Sequence, residues 1–81
     1  MAKTFHLTIA KVGENLFDGD ATAVSLPGVE GVFEVLANHE AYVSQLREGT
    51  VQITNAEGTK SSVAITGGIA EISNNQATVL L

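Results

Sequence analysis

The sequence has no cysteine and no tryptophan, a single proline, and only four lysines and arginines among its 81 residues. Without cysteine, neither a disulfide framework nor a thiolate metal site can hold the fold, so apolar packing must do it. The lack also fits a reducing compartment. The few basic residues face nine acidic ones, for a net charge of −5. That excludes the basic stripe with which a nucleic-acid binder releases phosphate counterions, and it disfavours direct binding to anionic lipid. No apolar run approaches the roughly 18–20 residues of a membrane helix, and the start has no apolar signal segment. The expectation is a cytoplasmic chain or a peripheral part of a larger assembly.

What is present is a hydrophobic fraction of 44%, which is that of a folded chain. The length suits one domain, residues 1–81, with a thin stability margin, since a chain this short buries only about 60–70% of its unfolded surface. The dominant period is two. Phe5, Leu7 and Ile9 alternate with His6, Thr8 and Ala10, as in a half-buried strand. Asn15 to Asp18 reads as a short second strand, with Asp18-Gly19-Asp20 as a turn. Thr22, Val24 and Leu26 form the next inward row, with Ala23 and Ser25 opposite, and Pro27-Gly28 ends that strand.

Val32 to Leu36 follows, with Phe33 and Val35 on one face, and then a loop from Asn38 to Ala41. Tyr42 to Leu46, Thr50 to Thr54, Lys60 to Thr66, Ile69 to Ile72 and Ala77 to Leu81 are the remaining extended runs. Glu48-Gly49, Asn55 to Gly58, Gly67-Gly68 and Ser73 to Gln76 punctuate them. About nine or ten short strands with turn signals between them predict an all-β fold, two sheets packed face to face. The expected core includes Phe5, Leu7, Phe17, Leu26, Phe33, Val51, Ile65 and Ile72. No segment has helical periodicity over three turns.

The chemistry-bearing residues form no catalytic pattern. Glu30 and Glu34 are two carboxylates near one strand, but acid–base work needs perturbed surroundings that nothing nearby supplies. Asp18 and Asp20 lack the further oxygens and closing glutamate of a calcium loop. The only imidazoles, His6 and His39, have no metal-ligand spacing. The serines carry no G-x-S-x-G elbow. Gly28 and Gly31 lack the lysine and the helix of a phosphate loop. No catalytic residue, metal site or cofactor is expected. The stretch from Leu26 to His39, a turn, a strand and a polar loop, reads instead as a docking edge.

That stretch carries a family resemblance. Leu26-Pro27-Gly28-Val29-Glu30-Gly31-Val32-Phe33-Glu34-Val35-Leu36, then His39, then Leu46 and Gly49-Thr50-Val51-Gln52-Ile53, resembles the N-terminal domain of the F-type ATP synthase epsilon subunits. Phe5-His6-Leu7, Leu16-Phe17-Asp18-Gly19, Thr66-Gly67-Gly68-Ile69-Ala70-Glu71-Ile72 and Ala77-Thr78-Val79-Leu80 extend the likeness over the chain in order. The resemblance implies a flattened sandwich of two roughly five-stranded sheets. It also implies a rotor subunit without an active site, at the foot of the central stalk on the cytoplasmic face of a bacterial membrane. Such a subunit packs beside gamma, rests on the polar loops of the c-subunit ring, and couples proton or sodium translocation to ATP synthesis.

Carried over by position, Glu30, Val32 and Glu34 would face the c-ring, and Lys11, His39 and Ser44 would approach gamma. Position 32 is acidic in some family members. With valine there, pairing to a basic ring loop passes to Glu30 or Glu34. The family's proline-flanked histidine loop reads Ala37-Asn38-His39-Glu40-Ala41, without its two prolines and with an added carboxylate, and so is less rigid. The family's C-terminal helical hairpin has no counterpart in these residues, so the expectation is no helix-mediated inhibition and no ATP binding. The alternative is a stand-alone ligand-binding β-module, which needs an exposed aromatic platform. Of Phe5, Phe17, Phe33 and Tyr42, three sit in core-like alternation. A small hydrolase is a weaker alternative still, since it lacks a nucleophile–base motif.

Overall fold

The computed structural model describes residues 3–81. They form eight strands: β1 (Phe5–Lys11), β2 (Glu14–Gly28), β3 (Gly31–Leu36), β4 (Tyr42–Leu46), β5 (Gly49–Asn55), β6 (Lys60–Ile65), β7 (Gly68–Ser73) and β8 (Gln76–Leu80). The described residues contain no helix. The long strand β2 is shared by two layers. Its first half pairs with β1, which runs parallel to β8, and β8, β7 and β4 complete a five-stranded layer. Its second half lies between β3 and β5, and β6 completes a four-stranded layer. The layers meet again where Gly28 of β2 pairs with Leu46 of β4.

Two sequence expectations change here. The Asp18-Gly19-Asp20 turn is not a turn: β2 runs through it without a break. Gly19 lies opposite Leu7, while Asp18 and Asp20 fall opposite Thr8 and His6. Alternation, not reversal, is what these residues support, because both aspartates can point to water while the chain stays paired. The separate strands expected at 15–18 and 22–26 are therefore one strand serving both layers.

Of the expected inward row of Thr22, Val24 and Leu26, Val24 and Leu26 are fully buried, and Ala21 takes the place of Thr22. The pairing of β2 with β5 slips between Ala21 and Ala23, and Thr22 is the extra residue of this bulge. Its hydroxyl donates to the carbonyls of Thr54 and Asn55 at 3.3 and 3.4 Å. The slip lets Ala21 and Val24, three apart, both point inward and be fully buried. Strand β2 also continues to Gly28 through Pro27, whose carbonyl accepts the Arg47 N–H at 2.9 Å.

Between the layers, Leu7, Ile9, Val24, Leu26, Val51, Ile53 and Val79 have no exposed surface beyond 1%. Phe5, Val35, Ile65 and Ile72 join them. Phe17 and Phe33, expected in the core, are half-buried and pack against its margin. The Ser73–Gln76 hairpin turns as expected, with Asn74 and Asn75 at φ 51° and 59°, the left-handed pair that a two-residue hairpin of this hand requires.

Candidate docking surfaces

The three residues assigned to a ring-facing edge lie together. Val29 and Glu30 form the tight turn joining β2 to β3, fixed because the Val29 N–H donates to the Gln45 carbonyl at 3.0 Å. On β3, Val32, Glu34 and Leu36 project to the outer face while Phe33 and Val35 project inward. Val32 is 67% and Leu36 51% exposed. Their partners on β2 are Pro27, Ser25 and Ala23. Ser25 and Ala23, with Glu34 and with Gln52, Thr54, Ser62 and Lys60 beyond them, line a shallow trough of about 410 Å³. Neither imidazole lines it.

The three residues assigned to the gamma side do not come together. Lys11 ends β1 and pairs with Glu14 at 3.4 Å across the hairpin turn. His39 belongs to the loop at the other end of β1. That loop is tied down by Asn75, whose carboxamide accepts the Asn38 N–H at 2.7 Å and donates to the Thr4 carbonyl at 2.9 Å. The His39 Nδ1 lies 2.7 Å from the Glu40 carbonyl oxygen. Its ring is next to Tyr42, which meets Phe33 edge-on at a centroid distance of 5.3 Å. Ser44 points into the sandwich and is 9% exposed, with its hydroxyl donating to the Gln45 carbonyl. The residue that β4 presents to solvent there is Val43.

Val43 belongs to a surface that sequence reading passed over. On the outer face of the five-stranded layer, Ile69 of β7 lies opposite Leu80 of β8, and Val43 of β4 lies opposite Glu71 of β7. Val43, Ile69 and Leu80 are 64%, 51% and 57% exposed. The signal was present in the sequence: β4, β7 and β8 each carry an apolar residue at the outward parity as well as the inward one, and that is unusual for a face that meets only water. At the far corner of this face, His6 stands between Asp18, 2.6 Å from its Nε2, and Asp20, 3.6 Å from its Nδ1. Among the described residues no three or more histidine, cysteine or carboxylate side chains converge as metal ligands.

Known proteins share this fold. Residues 4–81 match the family described as ATP synthase, Delta/Epsilon chain, beta-sandwich domain. The ATP synthase epsilon chain 1 of Nitrobacter hamburgensis is 42% identical over 77 residues, covering 95% of this chain and 56% of the relative. The ATP synthase epsilon chain of Campylobacter fetus is 44% identical over 78 residues, covering 96% and 60%. The chain thus spans a little more than half the length of these relatives. A chain in the cryo-EM structure of the Euglena gracilis mitochondrial ATP synthase, OSCP/F1/c-ring, superposes with a TM-score of 0.89 at 26% identity, over 95% of this chain and 49% of that one. A chain of the Tetrahymena thermophila mitochondrial ATP synthase central stalk/c-ring structure shares the fold, with a TM-score of 0.76 at 15% identity over 96% and 63%.

Proposed function

The chain belongs to the β-sandwich family of ATP synthase delta/epsilon chains, and from that premise we propose that it is a non-catalytic rotor subunit. It binds gamma and the c-subunit ring at the cytoplasmic face of a bacterial energy-transducing membrane, and it couples proton or sodium translocation to ATP synthesis. Its role is mechanical: packed surfaces pass torque between ring and stalk. The observation that carries the reading is the pair of separate exposed surfaces on one small domain. A rotor subunit between two partners needs two.

The turn and outer face at Glu30, Val32 and Glu34 are the ring-facing surface. Valine at position 32 makes its centre apolar, with the two carboxylates left to meet basic ring loops. The outer face of the five-stranded layer, with Val43, Ile69 and Leu80, is the gamma-facing surface. Lys11 and His39 stand at its two ends, and Ser44 supports it from beneath. Interfaces of the usual size bury about 1,200–2,000 Å² in total, and the molecule exposes 4978 Å², enough for two partners. The acidic balance favours the rate and register of association with basic loops more than its affinity.

Reconstitution tests this. The protein should co-elute in size exclusion with purified gamma and with a gamma-bearing c-ring. Failure to co-elute with either overturns the reading. With the complex assembled, Glu30→Lys should reduce coupling of ion pumping to ATP turnover while the isolated domain keeps its melting temperature.

A further inference from the structure

We infer that Glu71 is the charge anchor of the gamma-facing surface, and that the partner brings to it one lysine or arginine set among apolar side chains. The inference rests on the reading that the outer face of the five-stranded layer meets the stalk.

Register places Glu71 inside the apolar patch. Across the strands it lies opposite Val43 on one side and Thr78 on the other. Ile69 is two residues away on the same face of β7, about 7 Å along the strand, and is itself opposite Leu80. The side chain points outward, because its neighbours Ala70 and Ile72 are buried. Among the described residues the ion pairs are those of His6 with Asp18 and Asp20 and of Lys11 with Glu14. None involves Glu71, and among the described residues no side-chain hydrogen bond reaches it. Its own outward row, Thr8–Thr78–Glu71–Val43, and the rows on either side, Ala10–Leu80–Ile69–Gln45 and His6–Gln76–Ser73, contain no lysine or arginine, and the imidazole of His6 is engaged by Asp18 and Asp20.

In water this carboxylate is hydrated and harmless. Once a partner covers Val43, Ile69 and Leu80, it loses that water. An unpaired charge in a covered apolar surface is costly, and the cost falls only if a cation arrives with the partner. A purely apolar partner is therefore rejected and a basic one selected, so the carboxylate confers specificity through the mismatch it creates. The rest of the face points the same way: Asp18 and Asp20 at its corner add negative charge, with His6 between them. A bidentate arginine suits the site best, since it satisfies both carboxylate oxygens.

The test measures binding of the intact protein to purified gamma at several salt concentrations. The variants are Glu71→Gln, Glu71→Lys, Ile69→Ser, and Glu57→Lys as a charge reversal in the distant β5–β6 turn. Expected are a loss of about 30-fold or more for Glu71→Lys, about tenfold for Glu71→Gln with a flatter salt dependence, and less than about threefold for Glu57→Lys. Glu71→Gln keeps the side-chain shape, so it carries the test if the lysine variant fails to fold. If wild type binds and Ile69→Ser weakens it, but both Glu71 variants behave like Glu57→Lys, the anchor is overturned and the interface stands. If wild type does not bind, or Ile69→Ser binds as wild type does, the gamma-facing reading falls and the anchor with it.

Discussion

Gly68→Ala should destabilise the domain far more than Gly31→Ala, although both replace a glycine at positive φ with the smallest chiral residue. Gly68 opens β7 at φ +142°, paired with Leu46 on one side and adjoining β8 on the other. Gly31 opens β3 at φ +132°. A side chain is strained at either φ, at about 1–3 kcal/mol. What differs is the space. A methyl group at position 31 meets nothing within 4 Å, whereas at position 68 it stands 2.5 Å from the Leu80 carbonyl oxygen and 3.0 Å from the Leu81 side chain.

The carbonyl is backbone of a paired strand whose other face is core, so it must retreat by roughly an ångström to reach ordinary contact. Forced shifts of this kind in a packed interior cost about a further 1–3 kcal/mol. Gly68→Ala should then lose about 2–6 kcal/mol and Gly31→Ala about 1–3 kcal/mol. A domain of this length has only about 4–12 kcal/mol in all. Urea denaturation followed by far-ultraviolet circular dichroism reads the difference as a midpoint shift at unchanged slope. Equal midpoints for the two variants would refute the reasoning, since they would mean that the contact with β8 exacts nothing beyond strain.

Three further outcomes follow from the packing. Leu26→Ala removes a fully buried side chain of β2 where the layers meet, and denaturation should show a loss of about 2–5 kcal/mol. Asn75→Ala removes two hydrogen bonds that tie the histidine loop to the sheet and places alanine at φ 59°. Amide exchange at Asn38 to Ala41 should accelerate, and stability should fall by about 1–3 kcal/mol. His6→Ala breaks contacts to Asp18 and Asp20 that are about half exposed, and the same titration should register less than about 1 kcal/mol.

The edge we propose for the ring was legible in the sequence because it is local. Gly28 to Leu36 is a hairpin, so the alternation of Val32, Phe33, Glu34 and Val35 fixes which side chains share a face once the turn is recognised. The outer face of the five-stranded layer, which we propose for gamma, was not legible in this way. Val43, Ile69 and Leu80 come from three strands, and only the pairing of β4 with β7 and of β7 with β8 brings them together. Position 44 shows the limit of carrying a role over by position alone. Its serine is turned inward by the parity of β4, which leaves Val43 exposed to solvent.

Taken by itself, the sequence determined the all-β class, most strand positions and most of the inward rows, because a period of two and turn residues are properties of neighbours along the chain. It could not decide that Asp18-Gly19-Asp20 continues a strand, because a glycine between two aspartates suits a turn and an exposed strand equally well in isolation. The choice is made by β1, whose Leu7 and His6 pair with Gly19 and Asp20, and by the need for one strand to serve both layers. Nor could it place the bulge at Thr22, since the slip exists only against the register of β5. Long-range pairing sets these features, and with them the outer face on which Glu71 stands among Val43, Ile69 and Leu80.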